Sequence, residues 1–157
     1  MTLDITFQKI LIATDGSKFS QSAVLQGMEL AKFMGAKVYA LYVLNKNAYV
    51  PPVLETPIHL GSNWNVMEET LRQEGEDAIQ YAKKVAKDLE IDCEGVVVEG
   101  DPAHAILEFA EQKKIDLIIM GTLGKGELER FLLGSVADKV VRHSKISVLV
   151  VKKQKQN

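Results

Sequence analysis

Five short apolar runs alternate with amphipathic helical patterns along the chain, and no other feature constrains its fold as tightly. The runs are 9–14 (KILIAT), 37–43 (KVYALYV), Cys93–Glu99, 116–120 (DLIIM) and 147–151 (SVLVV). The first and fourth are nearly continuous Ile and Leu, the composition of strands buried on both faces. Between them, apolar residues recur at helical spacing: Ala23, Gly27, Leu30 and Met34; then Met67, Leu71, Ala78, Ala82, Val85 and Leu89. Ala103, Ile106, Leu107 and Ala110 make a third stripe, Val136 with Val140 a fourth. Strands alternating with helices predict βαβ units, a parallel sheet and right-handed crossovers.

Local punctuation agrees. Ser17 can cap the first helix and Gly35 stands just past its end. Asp101 before Pro102 reads as an N-cap with proline at the first helical position. The segment Asn45–Asn63, carrying Pro51, Pro52, Pro57 and Gly61, reads as one long irregular connection, either a binding loop or disorder. The 157 residues suffice for one domain with a full core, expected over 1–152, with 153–157 a disordered tail.

Composition excludes several classes of function. A net charge of −2 with both signs interspersed argues against broad capture of nucleic acid. Cys93 is the only cysteine, so neither an internal disulfide nor a cysteine-based zinc site can form, and it reads as a small buried hydrophobe. The opening Met1–Thr6 lacks a basic then apolar leader, and no apolar stretch is long enough to span a bilayer. The expectation is a cytoplasmic protein, off the membrane. His59, His104 and His143 are scattered without a paired ligand or carboxylate, so none is expected to be catalytic.

The chemistry concentrates in Gly121-Thr122-Leu123-Gly124, followed nine residues later by Gly134-Ser135-Val136. It joins a buried strand to a helix start. Glycines let the backbone approach a phosphate and turn N–H groups inward, and a helix N-terminus adds its positive dipole end. The Ser135 hydroxyl could both cap that helix and donate to a phosphate oxygen. Ordinary turn and cap chemistry would use the same residues. Lys125 and Arg130 in the spacer are either phosphate partners or plain surface charges.

In these motifs the chain resembles the ATP-binding universal stress proteins. Gly-x2-Gly-x9-Gly-Ser, then a helix and a Val-Leu-Val-Val strand, is similar to that family's nucleotide loop. Ile10-Leu11-Ile12-Ala13-Thr14-Asp15-Gly16-Ser17 resembles its first strand and turn, and Gly100-Asp101-Pro102-Ala103 its turn before the third helix. Asp116–Gly121 resembles its fourth strand, so the likeness covers nearly the whole chain.

The resemblance implies a three-layer αβα, doubly wound five-stranded parallel sheet of order 3-2-1-4-5, the adenine nucleotide alpha hydrolase-like fold. Ligands of such sheets bind outside the carboxyl ends, where the strand order reverses between strands one and four. By similarity, adenosine rests near Ala13, Thr14 and Asp15, with the Val43 backbone bonding to adenine. The phosphates lie over Gly121, Leu123, Gly124, Gly134, Ser135 and Val136, with Met120 also among the nucleotide contacts. Asp15 contacts the ribose or organises a phosphate-bound Mg²⁺ or Mn²⁺, or else simply turns the chain. The family implication is an ATP-dependent regulator with an unidentified protein partner. It also implies a homodimer through the edge strand Ser147–Val151, where Ser147 stands at a position many relatives fill with proline. Slow ATP hydrolysis, AMP or cyclic AMP binding, and a nucleotide-free interaction module are the alternatives. No water-positioning group is evident, so at most weak intrinsic ATPase is expected.

Overall fold

The computed structural model describes residues 6–49, 60–123 and 133–153. Five strands, β1 (Lys9–Ala13), β2 (Lys37–Leu44), β3 (Cys93–Glu99), β4 (Leu117–Gly121) and β5 (Ser147–Val151), form one parallel sheet. Its order is β3-β2-β1-β4-β5, as the resemblance implies. The connecting helices are α1 (Lys18–Met34), α2 (Leu60–Asp88), α3 (Pro102–Gln112) and α4 (Ser135–His143).

Strand periodicity divides the core in two. Ile10 and Ile12 of β1, Val38, Ala40, Tyr42 and Leu44 of β2, and Leu117 and Ile119 of β4 pack under α1 and α2. The alternate residues, among them Leu11, Ala13, Leu41, Ile118 and Met120, pack under α3 and α4. Because β1 and β4 are covered on both faces, Ile10, Leu11, Ile12, Ile118 and Ile119 have no solvent exposure at all. This is the reason their runs are apolar without alternation.

The caps form as read. Ser17 accepts from the Ser20 N–H, and Gly35 takes the left-handed conformation (φ 65°) while the Ala36 N–H returns to the Ala31 carbonyl. Asp101 accepts from the His104 N–H at 3.1 Å, with Pro102 opening α3. Two expectations change. The connection Asn45–Asn63 is not irregular throughout: Lys46–Tyr49 forms a 3₁₀ turn and α2 already begins at Leu60. A glycine in a helix costs only about 1 kcal/mol against alanine, so Gly61 does not stop it. Cys93 is half-buried rather than buried, since edge strand β3 is covered on one side; its thiol is pushed up from its ordinary pKa, chiefly by desolvation. The part of the connection at 50–59, the spacer 124–132 with Lys125 and Arg130, and the tail 154–157 lie outside the described residues.

Candidate binding cleft at the carboxyl ends of the strands

β1 ends before its neighbours do, and this opens the site. The Thr14 N–H still donates to the Leu41 carbonyl at 2.9 Å. Main-chain groups of successive strand residues point to opposite sides. Residues 38 and 44 bond towards β3, through Val38 N–H to Asp92 O and Gly100 N–H to Leu44 O. Leu41 and Val43 therefore face β1. At Val43, however, β1 has already turned away, so the Val43 N–H and C=O face a crevice instead of a strand.

The turn is held by its own side chains. Asp15 Oδ1 accepts from the Ser17 N–H at 2.9 Å, and Gly16 adopts φ 79°. The buried Thr14 hydroxyl donates to Ser20 Oγ at 3.0 Å and accepts from the Gly16 N–H at 3.2 Å. Across the crevice, β4 ends at Gly121. The Thr122 N–H donates to the Val151 carbonyl, and the Thr122 carbonyl accepts from the Gly134 N–H at 2.6 Å. That bond joins the end of β4 to the start of α4 although eleven residues separate them in the chain. Gly121 has a packing reason to be glycine: an added Cβ would stand 3.0 Å from the Phe19 carbonyl oxygen, against the first turn of α1.

Ser135 departs from expectation. Extended Gly134 (φ −71°, ψ 167°) is the N-cap of α4 and offers no side chain to cap it, and Ser135 is the first helical residue. With glycine at the N-cap, the positive end of the α4 dipole is directed at whatever lies before it.

Between these walls lies a cavity of ≈ 270 Å³. Ala13, Thr14, Asp15 and Val43 line one side, and Met120, Gly121, Leu123, Gly134, Ser135 and Val136 the other. Every expected site residue within the described chain thus meets in one place; Gly124 lies outside the described residues. Asn45, Leu71 and Ile106 also line it and carry no sequence motif that marks them; Thr122 of the glycine loop and Pro102 of the turn before α3 line it as well. The walls are mainly apolar, and Asp15 is the one charged lining residue among those described. A second hollow of ≈ 310 Å³ behind Thr14 is larger, yet Glu74 and Asp77 wall it and would repel an anion. The cleft at the strand ends is the candidate. His104 pairs with Glu108 on the surface of α3 and His143 sits in the last turn of α4; neither lines the cleft.

A doubly wound parallel sheet with an apolar cleft at its switch point and a helix N-terminus beside it defines a class of α/β small-ligand-binding domains. Within that class the chain belongs to the universal stress protein family, whose model matches residues 6–152. A universal stress protein of Methanocaldococcus jannaschii is 43% identical over 96% of this chain and 85% of its own length. The solved UspA universal stress protein of Lactobacillus plantarum superposes with a TM-score of 0.81 at 27% identity, covering 94% of this chain and 99% of that one. A universal stress protein solved in complex with cAMP superposes at 0.66 with 28% identity, covering 95% and 99%.

Proposed function

We propose that the chain is a nucleotide-dependent regulator of the stress response that binds an adenine nucleotide in this cleft, ATP with Mg²⁺ or Mn²⁺ foremost. One observation carries the reading. The outward-facing Val43 main chain and the N-terminal turn of α4, opened by Gly134, bound a single cavity, one suited to a base edge and the other to an anion. The apolar walls suit a purine, while Asp15 stands where a ribose or a phosphate-bound cation would be met.

A related structure of 28% identity holds cAMP, which favours adenine recognition in this cleft and keeps a monophosphate as the second reading. The length of the glycine loop and Ser135 support the triphosphate through the family resemblance. In this reading, occupancy of the cleft exposes or hides a surface for a protein partner in the cytoplasm, with 1–152 as the functional domain. The ion is held mainly by phosphate oxygens. Hydrolysis is weak at most, because the Asp15 carboxylate already serves the turn through Oδ1 and no other described lining residue is a carboxylate that could place water.

Mass spectrometry of small molecules released on denaturing the purified protein tests the ligand class. Thermal shift then ranks MgATP, AMP and cyclic AMP. A ligand at a hundredfold over Kd adds about 2.7 kcal/mol to stability, a shift of several degrees. No shift with any of the three at millimolar concentration ends the proposal.

A further inference from the structure

At one rim of the cleft four charged side chains from three elements form a closed ring. Lys46 Nζ lies 3.0 Å from Glu68 Oε1 and 3.3 Å from Glu99 Oε2. One guanidinium nitrogen of Arg72 lies 3.3 Å from Glu99 Oε1 and 3.6 Å from Glu68 Oε1. Each cation therefore bridges both carboxylates and each carboxylate bridges both cations. The Lys46 ammonium is held above its ordinary pKa, first by its hydrogen bond to Glu68 and then by Glu99. Glu68 is correspondingly held down, chiefly by Lys46. Both shifts keep Lys46 and Glu68 charged at neutral pH.

The ring's position gives it a consequence. Lys46 directly follows Asn45 and Arg72 directly follows Leu71, and both preceding residues line the cleft. Glu99 ends β3 three residues before Pro102, another lining residue. The Gly100 N–H donates to the Leu44 carbonyl at 3.1 Å, so the ends of β2 and β3 are tied where the ring straps α2 over them. Three pieces of cleft wall from three elements are joined by charge. Ring members are a third to a half exposed, so dissolved ions reach them and screen the attraction.

We propose that the Lys46–Glu68–Arg72–Glu99 ring is an ionic brace that positions the Asn45, Leu71 and Pro102 wall of the cleft, so that the grip on the bound ligand falls as ionic strength rises. The effect on ligand rests on the nucleotide reading above; the bracing of the wall does not. An isolated surface pair contributes little, but a closed network holds each side chain at two points and loses less entropy in doing so. These residues are positioning groups. None of them lines the cleft.

The test uses adenosine, which is uncharged, so that salt acts on the protein and not on the ligand's phosphates. Calorimetry at 0.1 M and 1 M NaCl spans a drop in Debye length from about 10 Å to about 3 Å. Wild type is expected to weaken about threefold over this range, the scale of a small surface network. Glu99→Gln removes a vertex shared by both cations; it binds more weakly at 0.1 M and changes little with salt. Arg72→Lys keeps the charge and retains the salt response. Glu94→Gln breaks an exposed pair with Lys37 at the opposite end of the β2–β3 edge and behaves as wild type. Equal proportional loss in wild type and Glu99→Gln overturns the brace as a modulator of affinity. Hydrogen exchange of the ligand-free protein reads the wall directly: amides at 44–47, 100 and 101 exchange faster in Glu99→Gln at low salt, and wild type approaches that rate at high salt. If adenosine binds no variant at any salt, base and ribose alone are not held, the nucleotide reading is left to the phosphate-bearing ligands above, and the exchange result alone decides the brace. Exchange that is the same in both proteins removes it.

Discussion

Asp15 carries a structural duty that can be separated from any duty to a ligand. Its Oδ1 accepts from the Ser17 N–H, which turns the chain out of β1 and presents the Ser17 cap to α1. Asparagine offers the same acceptor without the charge. Asp15→Asn is expected to leave the urea midpoint unchanged, whereas Asp15→Ala lowers stability by about 1 kcal/mol through the lost hydrogen bond. If Asp15 also organises the cation, Asp15→Asn abolishes the gain in ATP affinity on adding Mg²⁺ while the fold stays intact, a difference visible by calorimetry. Turn chemistry of this kind is legible in sequence because Asp, Gly and Ser act over two or three residues. The packing role of Gly121 is not: its constraint comes from the Phe19 backbone, about a hundred positions away.

Among the elements, α3 shows how far local signals reach. The Asp101 carboxylate satisfies the His104 N–H, and Pro102 gives up no hydrogen bond where it stands. Asp101→Ala is expected to cost about 1 kcal/mol in urea unfolding and Asp101→Ser much less, since serine also caps. The same helix supplies Pro102 and Ile106 to the cleft, so a frayed first turn also loosens a wall of the site. Ser135 was the weaker inference for a comparable reason: Gly-Ser before a helix leaves open which residue is the cap. Extended glycine took the position, and the serine moved one step into the helix. Propensity alone separates those two registers by less than their context does.

At the scale of the molecule, β5 is an edge strand with apolar residues towards solvent. Leu149 is 40% exposed on the strand and Val141 45% exposed on α4. We propose that a second copy covers this edge through antiparallel pairing of Ser147–Val151, since an apolar edge without proline or charge invites such a partner. Light scattering at micromolar concentration should give a dimer for wild type, and Leu149→Lys should give a monomer with an unchanged circular dichroism spectrum. A monomeric wild type removes the dimer without touching the cleft.

Element order, the caps at Ser17, Gly35 and Asp101, and the parallel character of the sheet could be read from the chain because each rests on periodicity or capping within about four residues. The glycine loop and the turn after β1 were recognisable as a matched pair, since both stand at strand ends. The remaining cleft wall and the charge ring have no such signature. Asn45, Leu71 and Ile106 are ordinary residues of a strand end and two helices, and they become neighbours only when the crossovers close. Lys46 and Glu99 likewise meet because β2 and β3 lie side by side and stop together. Hydrogen bonding along the chain sets what each segment becomes; which segments share a surface follows from burying two apolar faces of one sheet at once.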